Sequence, residues 1–111
     1  MKRALIEAWR RHGRAGRPRY RVRTVPTRSA VPARLPARTL ILVGRPAKWA
    51  LLRCPCGRGH DISLNLSQPE TVRWRIDSSR RQPSLHPSVD VHGSDFRCHF
   101  FLRFGKVEWV S

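Results

Sequence analysis

The sequence predicts a mostly β fold: a small antiparallel sheet or hairpin domain with a zinc-ribbon-like knuckle, preceded by a short N-terminal amphipathic helix. Three observations lead to this prediction. Segments with strand-like patterns recur about every ten residues from residue 39 onward. Two cysteines and a histidine are crowded into residues 54–60. With 111 residues, the chain has room for one small domain.

The first part of the chain, residues 1–37, is interpreted as a basic segment outside the compact domain. Apolar residues share one helical stripe within residues 2–12, which predicts the amphipathic helix. Arginines then alternate with other residues over residues 19–25, the period of a strand with one solvated face. Three prolines break up a linker over residues 26–36. The compact domain is therefore placed at residues 38–111.

The second part of the chain reads as a succession of short strands. The predicted strands are residues 39–43, 49–53, 61–66, 72–77, 85–91, 96–103 and 106–110. Alternation of apolar and charged residues in two of these segments predicts that Trp74 and Trp109 are core residues. A domain of this size buries a low fraction of its surface, so a bound metal would stabilise it.

The charge is concentrated in the N-terminal half. The chain has 23 basic and 7 acidic residues and a formal net charge of +16. Residues 1–53 contain 15 basic residues and one acid, whereas residues 54–111 contain 8 and 6. Such a surface attracts polyanions in general, whether nucleic acid, anionic membrane or acidic protein. We expect weak nucleic-acid or polyanion binding by residues 1–37.

The apolar and cysteine patterns indicate a cytoplasmic location. The longest apolar runs, residues 40–43 and 49–52, are far too short to cross a bilayer, so no membrane association is expected. No secretory signal is evident at the start of the chain. Three cysteines, two of them separated by one residue, make a poor disulfide framework, so we expect reduced thiols.

The cysteines and one histidine predict a structural Zn²⁺ site. Cys54, Cys56 and His60 are close in sequence, with glycines that allow the backbone to fold back. Cys98 is the remaining cysteine, and a strand bearing it would complete a closed site of three sulfurs and one nitrogen. His99 competes with His60 as the nitrogen ligand. The alternative is that the cysteines are small buried side chains without a metal.

A serine and a histidine are predicted to meet across a hairpin. If Val91 pairs with Phe96, Ser88 lies directly opposite His99, and directly opposed side chains share a face about 4.5 to 5.5 Å apart. That placement suits a nucleophile and its general base. Cys98 would then face the other side of the strand. A Ser opposite a His is more commonly a plain polar pair.

The group that would orient the histidine stays open. The candidates Asp90, Asp95 and Glu108 are equivalent at this stage, and water or a backbone carbonyl can serve instead. The other histidines are expected to be exposed: His12, His86 and His92.

An ordered set of residues resembles the BubE-type proteins, which are encoded in bacterial ubiquitin-like conjugation operons. The resemblance covers residue 39 to the C-terminus. It is carried by Trp49, Cys54, Pro55, Cys56, Gly57, Gly59, His60, Leu64, Trp74, Pro87, Ser88, Val89, Cys98, His99, Phe100, Gly105 and Trp109.

The resemblance implies a small zinc-stabilised serine peptidase that processes a ubiquitin-like protein or removes it from conjugates. Ser88 would be the nucleophile and His99 the base. Arg58 stands where the family usually has a third cysteine, so either His60 replaces that ligand or the site lacks a metal.

Two other functions remain open at this stage. One is a non-enzymatic zinc-ribbon-like module that binds nucleic acid or an acidic partner through its basic N-terminal half. The other is a catalytic zinc with His99 as a ligand and water in the open position.

Overall fold

The computed structural model describes residues 19–67, 74–77 and 82–110, and these residues form a mostly β structure. The predicted helix at residues 2–12 lies outside the described residues. One 3₁₀ turn, Arg28–Ala30, follows the first strand. The strands are β1 (Arg21–Val25), β2 (Thr39–Val43), β3 (Trp49–Arg53), β4 (Asp61–Asn65), β5 (Arg75–Asp77), β6 (Ser84–His92), β7 (Arg97–Arg103) and β8 (Lys106–Trp109).

The first four strands form one sheet, in the order β1-β2-β3-β4. The pairs β2–β3 and β3–β4 are antiparallel, as predicted, but β1 runs parallel to β2. The connection over residues 26–38 explains the difference, because parallel neighbours need a crossover of about a dozen residues or more. Here that crossover is the proline-rich segment.

The last four strands form a second sheet, in the order β5-β6-β7-β8, and all of its neighbours are antiparallel. Phe104 and Gly105 connect β7 to β8 with φ angles of 50° and 79°. Positive φ at both positions is typical of a type I′ hairpin turn, which matches the twist of the strands it joins. A Cβ atom on Gly105 would lie 2.8 Å from the Tyr20 carbonyl oxygen, so glycine also allows β1 to approach this turn.

The two sheets share one hydrophobic core. Alternate residues of β2, β3 and β4 point towards alternate residues of β6 and β7, as the two-residue period of a strand requires. The buried members of this cluster are Tyr20, Leu40, Leu42, Ala50, Leu52, Cys54, Ile62, Leu64, Leu85, Val89, Cys98, Phe100 and Leu102. The inner face of β7 therefore belongs to the core.

The first sheet is buried on its other face as well. Ile41, Val43 and Leu51 pack there against Val25 and Leu35. A strand buried on both faces has a continuous apolar run, which is the pattern of β2. The packed unit thus includes β1 and Leu35, which precede the predicted domain start at residue 38.

The hairpin of β6 and β7 departs from the predicted register near its loop, whereas Leu85 pairs with Leu102 as predicted. Val91 pairs with Cys98 and Asp90 with His99, two residues away from the predicted pairing. The register shifts between Leu85 and Val89, and Pro87 lies in that interval without an N–H to donate to the ladder. A shift by two residues keeps every side chain on its predicted face.

The two tryptophans predicted to be core have different environments. Trp74 is half-buried and packs against the shared core. Trp109 is 49% exposed, so its assignment as a core residue is wrong, although its ring meets Phe100 edge-on at 5.4 Å. It sits on β8, the last strand of its sheet, where one flank has no neighbouring strand among the described residues. No helix among the described residues is long and apolar enough to span a bilayer.

The packing predicts that truncating a side chain on the inner face of the first sheet lowers the free energy of unfolding strongly. Leu40 is fully buried, so Leu40→Ala removes apolar contacts and leaves a cavity. We expect the free energy of unfolding to fall by about 2 to 5 kcal/mol in urea denaturation. Phe104→Ala is the control, because Phe104 is 54% exposed, and we expect a change within about 0.5 kcal/mol. Equal effects of the two variants would contradict the shared core.

Candidate functional site

A turn between β3 and β4 carries three potential metal ligands. Cys54 is the first residue after β3, and its N–H donates a hydrogen bond to the His60 carbonyl oxygen at 2.9 Å, which closes the turn. Gly57 and Gly59 have φ angles of 81° and 88°, a conformation that side chains disfavour. The backbone therefore folds back, and Cys56 and His60 approach Cys54.

The fourth potential ligand comes from β7. Cys98 lies on the inner face of that strand and is buried. The ligand atoms of Cys54, Cys56, His60 and Cys98 all lie within 4.8 Å of one another. His60 Nε2 is 3.7 Å from the sulfurs of both Cys56 and Cys98. The structure thus brings together the four residues that the sequence predicted as ligands.

The spacing of these four residues is compatible with a metal ion. With a Zn–S bond of about 2.3 Å and a Zn–N bond of about 2.1 Å, a sulfur and a nitrogen of a tetrahedral site are about 3.6 Å apart. The two 3.7 Å separations between His60 Nε2 and the cysteine sulfurs are close to that value. The His60 ring stacks on Phe96 with centroids 4.2 Å apart, which holds the ring in place. The cluster can therefore hold a metal ion, and its sulfur-rich donor set is compatible with zinc.

The thiols of the cluster differ in their electrostatics. Burial raises the pKa of Cys54 to about 12 and also raises the pKa of Cys98. Burial acts in the same direction on Cys56, but the Arg58 N–H, 3.4 Å from its sulfur, and hydrogen bonds with the other thiols lower the pKa of Cys56. Metals bind thiolates, so an ion entering the cluster must displace protons from the two buried thiols.

Arg58 occupies the position at which the resemblance has a cysteine. Its side chain is exposed and turns towards the β6–β7 loop, where a guanidinium nitrogen is 3.4 Å from the Asp95 carbonyl oxygen. Its backbone N–H donates a hydrogen bond to the sulfur of Cys56 at 3.4 Å. The nitrogen of His60 supplies the fourth ligand atom of the cluster.

Ser88 and His99 meet on the outer face of the second sheet. Ser88 Oγ lies 2.8 Å from His99 Nε2, a short hydrogen bond, and both residues are half-buried. In the strand ladder, His99 is paired with Asp90. Ser88 lies at the register shift of β6, and its side chain therefore reaches His99 as well. The contact predicted from the sequence is present, through a different register.

Cys98 and His99 are adjacent, but they serve different faces of β7. Cys98 joins the Cys/His cluster on the inner face, whereas His99 contacts Ser88 on the outer face. Successive residues of a strand point to opposite sides, which explains the separation. His99 is therefore absent from the cluster, and His60 is the histidine that lies among the cysteines.

The three acidic candidates occupy different surroundings. Asp90 pairs with His99, and its carboxylate accepts hydrogen bonds from Arg97 at 2.9 and 3.1 Å. The hydrogen bond from Arg97 is the main cause that lowers the pKa of Asp90, and the nearby His99 acts in the same direction. The Glu108 carboxylate is 3.5 Å from the Arg103 guanidinium, and Asp95 is an exposed residue of the β6–β7 loop. Asp90 is thus the candidate with an identified electrostatic effect involving His99.

Sequence reasoning missed two residues that support these groups. Phe96 stacks on His60, and Arg97 holds the Asp90 carboxylate. Arg97 lies two residues before His99, so strand alternation was a signal that could have placed both on one face. His86 and His92 are exposed as expected, and His12 lies outside the described residues.

Comparison with known proteins identifies one family. The family model named BubE, described as a bacterial ubiquitination-like system serine protease, matches residues 27–110. No curated protein and no solved structure matches the chain.

The cluster predicts that the purified protein contains a metal. We expect about one Zn²⁺ per chain by elemental analysis, because four ligand atoms are preassembled. His60→Ala removes one ligand, so its zinc content should fall well below that of the wild type. His92→Ala is the matched control and should retain the wild-type content. Equal zinc in the two variants would contradict this ligand set.

Proposed function

The chain belongs to the BubE family of bacterial ubiquitination-like system serine proteases, and we propose that it processes a ubiquitin-like protein or cleaves it from its conjugates. In this proposal Ser88 is the nucleophile and His99 is the general base. The observation that carries the proposal is the 2.8 Å contact between Ser88 Oγ and His99 Nε2. A nucleophile within hydrogen-bond reach of its base is the arrangement that acyl transfer requires.

The proposed reaction is acyl transfer through a covalent intermediate. His99 Nε2 accepts the Ser88 proton while Oγ attacks the carbonyl carbon at the C-terminal junction of the ubiquitin-like protein. The imidazolium then gives that proton to the leaving group, and the acyl group stays on Ser88. His99 then deprotonates a water molecule, which attacks the acyl carbon. The bond between that carbon and Ser88 Oγ breaks, the free C-terminus is released, and the imidazolium returns its proton to Oγ. For the first step, the proton of neutral His99 must reside on Nδ1.

The position of Ser88 and His99 on the outer face of the second sheet favours access by a substrate. Ser88 and His99 lie on the face of the second sheet that points away from the shared core. The register shift between Leu85 and Val89 interrupts regular pairing next to Ser88. We propose that backbone N–H groups at this interruption stabilise the oxyanion. The Gly57–Gly59 turn is a weaker candidate, because its cluster is on the inner side of β7.

The metal cluster has a structural role in this proposal. Four protein ligands would leave no open position for water on a tetrahedral ion, so the ion would supply cross-linking rather than chemistry. The cluster joins the turn after β3 to Cys98, the residue before the proposed base. It thereby ties the first sheet to the strand that carries His99.

Substitution of the proposed catalytic residues tests the function directly. The substrate is a ubiquitin-like protein from a neighbouring gene fused to a C-terminal reporter. We expect Ser88→Ala and His99→Ala to lower kcat/KM by about 10³-fold or more, because nucleophile and base act as a unit. Cleavage is followed by gel electrophoresis and by release of the reporter.

The matched controls lie on the same hairpin. His92 is the exposed last residue of β6 and Ser94 is an exposed residue of the loop, so His92→Ala and Ser94→Ala should cleave like the wild type. Thermal melting shows whether each variant is folded. Undiminished cleavage by Ser88→Ala would overturn the serine mechanism and favour a binding module.

The position of Asp90 predicts a smaller effect on turnover. Asp90 is paired with His99, and its negative charge favours the imidazolium that forms during attack. Because Asp90 is exposed and shared with Arg97, we expect Asp90→Asn to lower kcat only about two- to fivefold, with little change in KM. Glu108→Gln is the control, since Glu108 neighbours Arg103 instead. An equal loss in both variants would contradict the assignment.

A further inference from the structure

A basic groove runs beside β8, the last strand of the second sheet. It has a volume of about 780 Å³ and lies between β8 and the end of the first sheet at which β1 and β2 begin and β3 ends. Its lining includes four cationic residues: Arg19, Arg38, Arg53 and Lys106. We call this site the β8 groove. It is separate from the face that carries Ser88.

The backbone of β8 borders this groove and is unpaired on that side in the described sheets. Paired residues of antiparallel strands alternate between those that exchange hydrogen bonds and those that do not. The Val110 N–H donates to the His99 carbonyl oxygen, so Phe101–Glu108 is the next bonded pair and Val107 and Trp109 point their backbone groups outward. Both outward-pointing residues line the groove. The edge therefore presents donors and acceptors to an added strand.

The charges of the groove lack compensation among the described residues. The groove's one carboxylate, Glu108, already lies 3.5 Å from Arg103, which is outside the groove. Arg19 contacts neutral oxygens, at 3.2 Å on Gln82 and 3.4 Å on Phe104. Asp61 is the ladder partner of Arg53, but no ion pair joins the side chains of these two described residues. Anionic side chains of a ligand would meet uncompensated positive charge.

We propose that the β8 groove binds an acidic, extended peptide segment of a partner protein as a fifth strand of the second sheet. Backbone hydrogen bonds at Val107 and Trp109 provide affinity, as in other cases of strand addition. Carboxylates on the peptide meet the four cations of the groove. An added strand lies about 10 Å from β7, so it leaves the outer face at His99 open.

The charge of the chain argues against two other occupants. Residues 1–18 contain six basic residues and one acid, so their charge has the same sign as that of the groove and gives no electrostatic complementarity. A second copy carries a net charge of +16 and presents the same basic edge. A nucleic-acid backbone offers phosphate acceptors but no regular N–H donors for the outward carbonyl groups of β8. The edge and the charge together favour a peptide.

Fluorescence anisotropy with a labelled eight-residue peptide of alternating Glu and Val tests the proposal on the full chain. We expect saturable binding that weakens with salt, and at least about tenfold weaker binding of the same peptide N-methylated at every residue. The methylated peptide keeps its charge but lacks N–H donors. The proposal is overturned by equal binding of the two peptides.

Variants of the groove provide the second arm. The double variant Arg38→Glu with Lys106→Glu should weaken binding at least about tenfold, because it reverses two charges of the groove. Arg23→Glu with Arg45→Glu makes the same net change at exposed positions outside the groove and should have little effect. Val107→Pro removes one outward N–H and should weaken binding relative to Val107→Ala.

Two outcomes of this arm would also overturn the proposal. One is equal weakening by both double variants, which would show attraction to the net charge alone. The other is a thymidine oligonucleotide that binds more tightly than the peptide and loses its binding in the groove variant, which would assign the groove to nucleic acid. Thermal melting confirms that each variant is folded.

Discussion

The alternation of side chains along β7 is the constraint on which the functional arrangement depends. Cys98 points inward to the Cys/His cluster and His99 points outward to Ser88, although the two residues are adjacent. A strand cannot place both on one face without distortion. The inner position ties β7 to the turn after β3, and the outer position presents an imidazole beside a hydroxyl. A change that rotates β7 would therefore disturb the cluster and the Ser–His contact together.

The core explains why a cross-link at this place is useful. The sheets are joined mainly by apolar packing of alternate residues, and a chain of this size buries only a low fraction of its surface on folding. The cluster adds a contact between residues far apart in sequence, since Cys98 meets His60 across 38 positions. A constraint that closes a long loop restricts the unfolded chain most, which is why a distant fourth ligand contributes more than another residue of the turn.

Local patterns made the strands and the four ligand residues predictable, whereas long-range pairing was not. The strands β2 and β3 match their predicted bounds, because their apolar runs end at Gly44 and at the cysteine turn. The register of β6 from Val89 to His92 was predicted two residues away, since Pro87 interrupts the ladder in a way that loop length does not reveal. The face predicted for each side chain is nevertheless correct, because a shift by two residues preserves the alternation of side chains. The parallel pairing of β1 lacked any local signal.

The second sheet offers three surfaces whose chemistry is independent because each arises from a different property of a strand. Its inner face is apolar and includes Cys98, its outer face holds the polar pair at Ser88, and its edge at β8 has backbone groups that are unpaired within the described sheets. Side-chain alternation separates the faces, and hydrogen-bond alternation selects Val107 and Trp109 at the edge. A ligand on that edge pairs with backbone, so it can be recognised without altering the residues that form the core or the Ser–His contact. One four-stranded sheet can thus combine stability, chemistry and partner recognition.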